Sequence, residues 1–159
     1  MVKNKLETLF SNSMRDQFAW GIKLHNNMLA HQTTPADYIV SMNLGNITSN
    51  HKFMLVECKQ VTCKDRNGRL AFKRLKQMHD LQTFEQIHGV KSAFFCIAYW
   101  DGRWTNSEVY LVPVSIISTL IETHNYKSLN RADAMIRLNP FKLEIKGGVL
   151  QLQKLLKSI

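Results

Sequence analysis

At 159 residues the chain is long enough to bury one continuous core and too short for two ordinary ones, so residues 1–159 are read as a single domain. A composition that is 45% hydrophobic and 21% charged, with seven glycines and three prolines, excludes a disordered or collagen-like chain. Lysine and arginine outnumber aspartate and glutamate by 21 to 12, and the formal charge of +9 favours a polyanionic partner, nucleic acid first, although solubility alone is an equal explanation of charge by itself.

From Asn4 to about Leu29 the spacing of Leu6, Leu9, Phe10, Met14 and Phe18 predicts one helix, with no proline to interrupt it. Glu7 shares a face with Phe10 and Met14; an acid so placed is either a rim residue whose head reaches water or one that points into a site. His31 to Pro35 breaks the helix, and Tyr38 to Met42 reads as a strand opened by Asp37. Asn43 to Asn50 suits a hairpin loop returning into an antiparallel strand, Phe53 to Thr62.

Asp65 to Gly68 is a second loop, and Leu70 to His88 reads as a helix carrying Leu75, Met78, Leu81, Phe84 and Ile87, capped by Gly89. Ser92 to Trp100 is an almost unbroken apolar run, the pattern of a central strand buried on both faces, and the Asp101-Gly102 turn leads to a partner strand, Glu108 to Val112. A short helix follows Pro113 to about Glu122, Thr123 to Asp133 is polar and unassigned, Lys142 to Ile145 is a strand, and Val149 to Leu156 a terminal helix.

The segment richest in chemistry is Phe53-Met54-Leu55-Val56-Glu57-Cys58-Lys59-Gln60. Strand alternation puts Phe53, Leu55, Glu57 and Lys59 on one face, greasy at its start and charged at its end. The bland reading is an ion pair at a strand end; the functional one is a carboxylate and an ammonium presented together for phosphate chemistry. A hairpin register that brings Asp37 beside Glu57 requires no unusual geometry, and two carboxylates about 4 Å apart would then repel by something like 4 kcal/mol at an effective dielectric of about 20. Such a pair wants a cation between them, and oxygen-only ligands point to Mg²⁺, with Mn²⁺ as a substitute.

Lys64, Arg66, Arg69, Lys73, Arg74 and Lys76 cluster just after this strand, either as a DNA-facing surface beside the metal site or as a solvated face. Trp100, Arg103 and Trp104 flank the Asp-Gly turn, where an indole either stacks on an unpaired base or packs on the sheet. Cys58, Cys63 and Cys96 are odd in number and lack CxxC spacing, which argues against a disulfide framework or structural zinc and for a reducing compartment. With no apolar leader core in Met1 to Phe10 and no stretch near the ~20 apolar residues that span a bilayer, the expectation is a soluble, cytoplasmic protein with no membrane partner. There is no HExxH spacing, glycine-rich phosphate loop or nucleophile signature, so covalent catalysis and nucleotide hydrolysis are disfavoured.

The order of a helix with Glu7, then Thr34-Pro35-Ala36-Asp37-Tyr38-Ile39, then Leu55-Val56-Glu57-Cys58-Lys59, resembles the PD-(D/E)xK nuclease core, and specifically the Holliday junction resolvases of the RecU and archaeal Hjc kind. The likeness continues through Phe72 and Leu75-Lys76-Gln77-Met78-His79-Asp80-Leu81 to the strands Ala93 to Ala98 and Glu108 to Pro113, with Lys76 standing where the RecU pattern has histidine. The resemblance implies an α/β fold, a restriction-endonuclease-like mixed β-sheet core flanked by α-helices. It also implies a homodimer and Mg²⁺-dependent incision of four-way junctions in branched double-stranded DNA. By the same resemblance Asp37 and Glu57 are metal ligands, Lys59 is the catalytic lysine, Glu7 an accessory acid near the metal, and Gln77 a helix residue facing the site. Alternatives within reach of the same residues are a nuclease of this type acting on flaps, ends or a specific sequence, and a non-catalytic DNA-binding recombination module.

Overall fold

The computed structural model describes residues 4–15, 17–18, 20–25, 34–43, 51–63 and 68–158. Its centre is a mixed six-stranded sheet in the order β1-β2-β3-β5-β6-β8, made of β1 (Trp20–Lys23), β2 (Tyr38–Asn43), β3 (His51–Thr62), β5 (Ala93–Trp100), β6 (Glu108–Pro113) and β8 (Lys142–Leu143). Among the described residues β3 and β5 form its one parallel pair, Leu55 opposite Ala93 through Thr62 opposite Trp100, and the other neighbours are antiparallel. A parallel pair needs a crossover, supplied here by the segment that carries β4 (Arg69–Ala71) and helix α2 (Met78–His88).

Strand alternation divides the core into two layers. On one face Val40, Met54, Val56, Cys58, Phe94, Cys96 and Leu111 pack with Leu6, Leu9 and Phe10 of helix α1 (Lys5–Met14) and with Leu152 and Leu155 of helix α5 (Leu152–Ser158). On the other, Leu55, Phe95, Ile97, Tyr99, Tyr110 and Val112 pack with Leu81 of α2, Ile117 and Leu120 of α3 (Val114–Glu122) and Ala134 of α4 (Arg131–Arg137). The expected mixed α/β core flanked by helices is therefore present. β5 fills its predicted place: Ala93 to Tyr99 are all buried, as a strand covered on both sides requires.

Three expected helices are shorter than the periodicity suggested. The helix from Asn4 stops at Met14, and the chain returns as β1, paired with β2 through Ile22 opposite Ile39 and Lys23 opposite Tyr38. Its ending has a cause in Gln17, whose amide donates to the carbonyls of Ser13 (2.8 Å) and Leu150 (2.6 Å) while its oxygen accepts from Leu152 N (2.7 Å). The chain is thus drawn off the helix axis toward β10 (Val149–Leu150), which pairs with β9 (Ile145–Lys146). The expected helix from Leu70 begins only at Met78, because Arg69–Ala71 pairs with β7 (Ser128–Asn130) and Phe72–Arg74 forms a 3₁₀ turn. Three-residue spacing is that of a 3₁₀ turn as much as of an α-helix, and the partner strand lies far along the chain. The terminal helix starts at Leu152, after Val149–Leu150 has been claimed by β10.

The expected strand from Lys142 divides into β8 and β9, and β7 and α4 occupy the stretch that sequence left unassigned. The loop expected at Asn43 to Asn50 falls mostly outside the described residues, but the antiparallel pairing it implies is there, Tyr38 opposite Val56 through Asn43 opposite His51. Gly89 does close α2, at φ 96°, and its N–H donates to Glu85 O at 2.8 Å.

Arg131 ties the far end of the sheet together. Its guanidinium donates to Glu108 (2.6 Å) and Asp101 (2.8 Å) and to the Asn106 carbonyl, and its N–H donates to Gly68 O at 3.0 Å. Gly68 itself has no room for a side chain: a Cβ there would lie 2.1 Å from Cys63 Sγ and 3.1 Å from Val61 Cγ1. Gly68→Ala should therefore lower stability by about 1–3 kcal/mol in urea denaturation, the range for overpacking a filled site. Adding Cys63→Ala should recover part of that loss.

Candidate active site at the divergence of β2 and β3

β2 begins at Tyr38, opposite Val56, so from Glu57 onward β3 has β5 on one side and, among the described residues, no strand on the other. Asp37 stands at that point. Its side-chain Oδ2 accepts the Cys58 N–H at 2.7 Å, replacing with a carboxylate the ladder bond that β2 no longer makes, while its carbonyl accepts Leu24 N at 2.7 Å. The acid is thereby anchored from both sides.

Glu57 follows Leu55 on the α2-facing side of β3 and is 2% exposed. Its Oε1 accepts Lys59 Nζ at 2.6 Å, and its Oε2 is buried with no hydrogen-bond partner among the described residues. Lys59 Nζ also donates to Gln77 Oε1 at 3.3 Å. Gln77 occupies the N-cap position of α2 yet makes no side-chain cap, its carboxamide being turned to the lysine instead. The expected grouping of Asp37, Glu57, Lys59 and Gln77 is thus a single cluster spanning the start of β2, the middle of β3 and the start of α2.

Glu7 reaches the same neighbourhood from the opposite face of the sheet, and sequence left it between two readings. Asn4 caps α1, accepting from Leu6 N (3.1 Å) and Glu7 N (3.2 Å), and also donates to Glu7 Oε1 at 2.7 Å. Lys23 of β1 forms an ion pair with Glu7 Oε2. Gln60 of β3 accepts Leu6 N at 3.0 Å and Tyr38 OH donates to Glu7 O at 2.9 Å, so α1 is locked to both site strands. Sequence reasoning missed Lys23, Gln60 and Asn4. Asn4 was legible as an N-cap two residues before the first apolar position, and Gln60 as the residue next to Lys59; Lys23 was hidden inside the stretch read as helix.

Both carboxylates are held above their ordinary range. Burial raises Asp37 most, the Cys58 hydrogen bond opposes it, and the charge of Glu7 adds to the rise while Lys59 and Lys23 oppose it. Glu57 is raised to about 7, first by burial, with Lys59 pulling down and the Asp37 charge pushing up. A buried and a half-buried acid whose charges oppose each other, the first with an oxygen that makes no hydrogen bond among the described residues, make a donor set that suits a hard divalent cation. Mg²⁺ needs only one or two carboxylates, water and substrate oxygens completing its shell, so the pair is sufficient even though no group of three or more His, Cys, Asp or Glu is gathered among the described residues.

Of the expected DNA-facing residues, Lys64 and Arg66 lie outside the described residues. Arg69 on β4, Lys73 and Arg74 on the 3₁₀ turn and Lys76 before α2 are all exposed, on the segment joining β3 to α2. Trp104 packs against the α1-side core and meets Trp100 edge-on, ring centroids 4.5 Å apart, so packing on the sheet describes it.

The raised Glu57 gives a pH dependence whose sign follows from linkage. Between the unfolded value of 4.5 and about 7 the folded metal-free chain holds more protons than the unfolded one, so stability falls as pH rises through that window and levels off above it. The fall should be on the order of 2–3 kcal/mol, read as urea midpoints in chelator between pH 4.5 and 8, and Asp37 acts in the same direction. Glu57→Gln should flatten most of it. An unchanged slope in that variant would place the titration elsewhere. Comparison with models of known protein families, and with curated proteins, found no match to this chain.

Proposed function

We propose that this chain is a metal-dependent nuclease of the PD-(D/E)xK type, acting on branched DNA and on four-way junctions above all. The observation that carries the reading is the meeting of Asp37, Glu57 and Lys59 where β2 and β3 part, with Glu57 Oε2 buried and making no hydrogen bond among the described residues. Asp37 and Glu57 would hold Mg²⁺ or Mn²⁺, which when bound polarises a scissile phosphate and makes a bound water acidic enough to attack it.

The chain's own residues do the rest. Lys59, fixed between Glu57 and Gln77, presents an ammonium to the oxygens on which charge develops, and pre-setting that donor avoids reorganisation during reaction. Gln77 acts through Lys59 as a positioning residue. The exposed Arg69, Lys73, Arg74 and Lys76 supply phosphate contacts that orient the duplex without reading its sequence. Paired nicks need two centres, so the active form is a two-fold homodimer with one protomer per strand. Three free, buried thiols fit a reducing, cytoplasmic setting, and no helix among the described residues is long and apolar enough to cross a membrane.

Incubated with a synthetic four-way junction and Mg²⁺, the protein should give paired nicks. Asp37→Ala or Glu57→Ala should slow cleavage at least ~10³-fold with junction binding retained, the scale of losing a principal transition-state stabiliser. Gln77→Ala should cost about 10–100-fold, as for residues that orient a ligand or catalytic group. No cleavage of any branched or linear DNA with Mg²⁺ or Mn²⁺ would leave only a binding module. Equal competition by linear duplex at fixed salt would remove the preference for junctions while keeping the nuclease.

A further inference from the structure

Packing on the sheet accounts for only part of Trp104. The residue opens a 3₁₀ turn, Trp104–Asn106, between β5 and β6, and it is half-buried: it packs against the α1-side core and also lines a cavity of about 740 Å³. The rest of the lining comes from that turn, from β8 and β9, and from the Gly147-Gly148 turn that leads into β10. In sheet order β5 and β6 stand between β8 and the strand that carries Glu57 and Lys59, and no residue of the carboxylate centre lines the cavity.

The indole is held in place before any ligand arrives. Its ring meets that of Trp100 at 63°, centroids 4.5 Å apart. Its turn is closed by Asn106 N–H donating to Arg103 O (3.1 Å) and by Ser107 Oγ, which accepts from Asp101 N (2.9 Å) and donates to Arg103 O (2.6 Å). Arg131 fastens the same turn from outside, through the Asn106 carbonyl and Asp101. An aromatic ring fixed in this way binds a planar partner at low entropic cost.

The charge around the cavity is positive. Exposed Lys142 makes no ion pair among the described residues, and Glu144 is shared between Lys146 at 3.3 Å and Lys154 at 2.9 Å, so three lysines face one carboxylate. The Lys146 pair, with side chains 66% and 50% exposed, is weak and open to exchange for a phosphate. An acidic side chain satisfies the lysines but has no ring for the indole, and a duplex keeps its bases stacked inside; an unpaired nucleotide brings both ring and anion. We propose that this cavity is a second DNA site, in which an unpaired base of a single strand stacks on Trp104 while the neighbouring phosphates meet Lys142 and Lys146. The choice of DNA as the polymer rests on the function proposed above; the ring and the charges of the cavity do not.

Titration of the metal-free protein with a short labelled oligothymidylate, followed by fluorescence anisotropy, tests this without cleavage. Trp104→Ala should weaken binding of the single strand by about 5–150-fold, the loss of one base stacked on an aromatic ring, and leave a blunt duplex bound as before, with Trp104→Tyr recovering most of the loss. Lys142→Gln should lower the slope of log K against log salt by ~0.7, the value for one phosphate contact on a single strand. Unchanged affinity for the oligothymidylate in a folded Trp104→Ala protein overturns the proposal, as does an equal loss for the duplex. Absence of oligothymidylate binding by the wild type overturns it as well, while junction cleavage still decides the nuclease reading separately. Should Trp104→Ala fail to fold, Lys142→Gln combined with Lys146→Gln, both on exposed side chains, must lower the slope by ~1.4, and an unchanged slope sinks the proposal.

Discussion

Two acids stand close together, Glu57 buried and Asp37 half-buried, and their repulsion is the constraint that the surrounding hydrogen bonds answer. Asp37 tolerates it because the Cys58 N–H points at its carboxylate, and Glu57 because Lys59 lies against one of its oxygens. Each compensation is partial: burial still outweighs it, and both acids remain harder to ionise than in water. A structure that keeps such a conflict in its folded state holds a local instability that a bound cation would relieve.

The fold sets this conflict up by ending one strand before its neighbour. β2 accompanies β3 only as far as Val56, and the backbone N–H at Cys58 is offered to a side chain. β5 continues on the far side, with Glu57 opposite Phe95 and Lys59 opposite Ile97, so the acid and the lysine project from a strand that is paired along one edge and, among the described residues, without a partner strand along the other. Helices from the two layers then close on the opening, α1 bringing Glu7 from one face and the start of α2 bringing Gln77 from the other.

Much of this was legible in the sequence wherever a pattern was local. The alternation through Phe53 to Lys59 placed Glu57 and Lys59 on one face, the hairpin register placed Asp37 beside them, and the apolar run ending at Trp100 marked the central strand. What escaped depended on distant partners. Trp20–Lys23 continues a helical spacing and becomes a strand because β2 offers an edge, and Arg69–Ala71 does so because Ser128–Asn130 does the same. The error had a price at the site: on one helix, 16 residues would hold Glu7 and Lys23 about 24 Å apart, whereas the turn back into β1 brings them into contact. Chain reversal, which no short window reveals, created that ion pair.

The hydrogen bonds made by Ser13 and Gln17 carry a temporal consequence. Leu150 N donates to Ser13 Oγ across 137 positions of chain, and Gln17 accepts from Leu152 N across 135. During synthesis α1 emerges long before the segment that fastens its C-terminal end, and contacts of such separation form late because the intervening loop must close first. The C-terminal end of α1 is therefore fastened only when residues near 150 have left the ribosome, whereas the contacts that seat Glu7, with Asn4, Lys23 and Tyr38, call on nothing beyond β2.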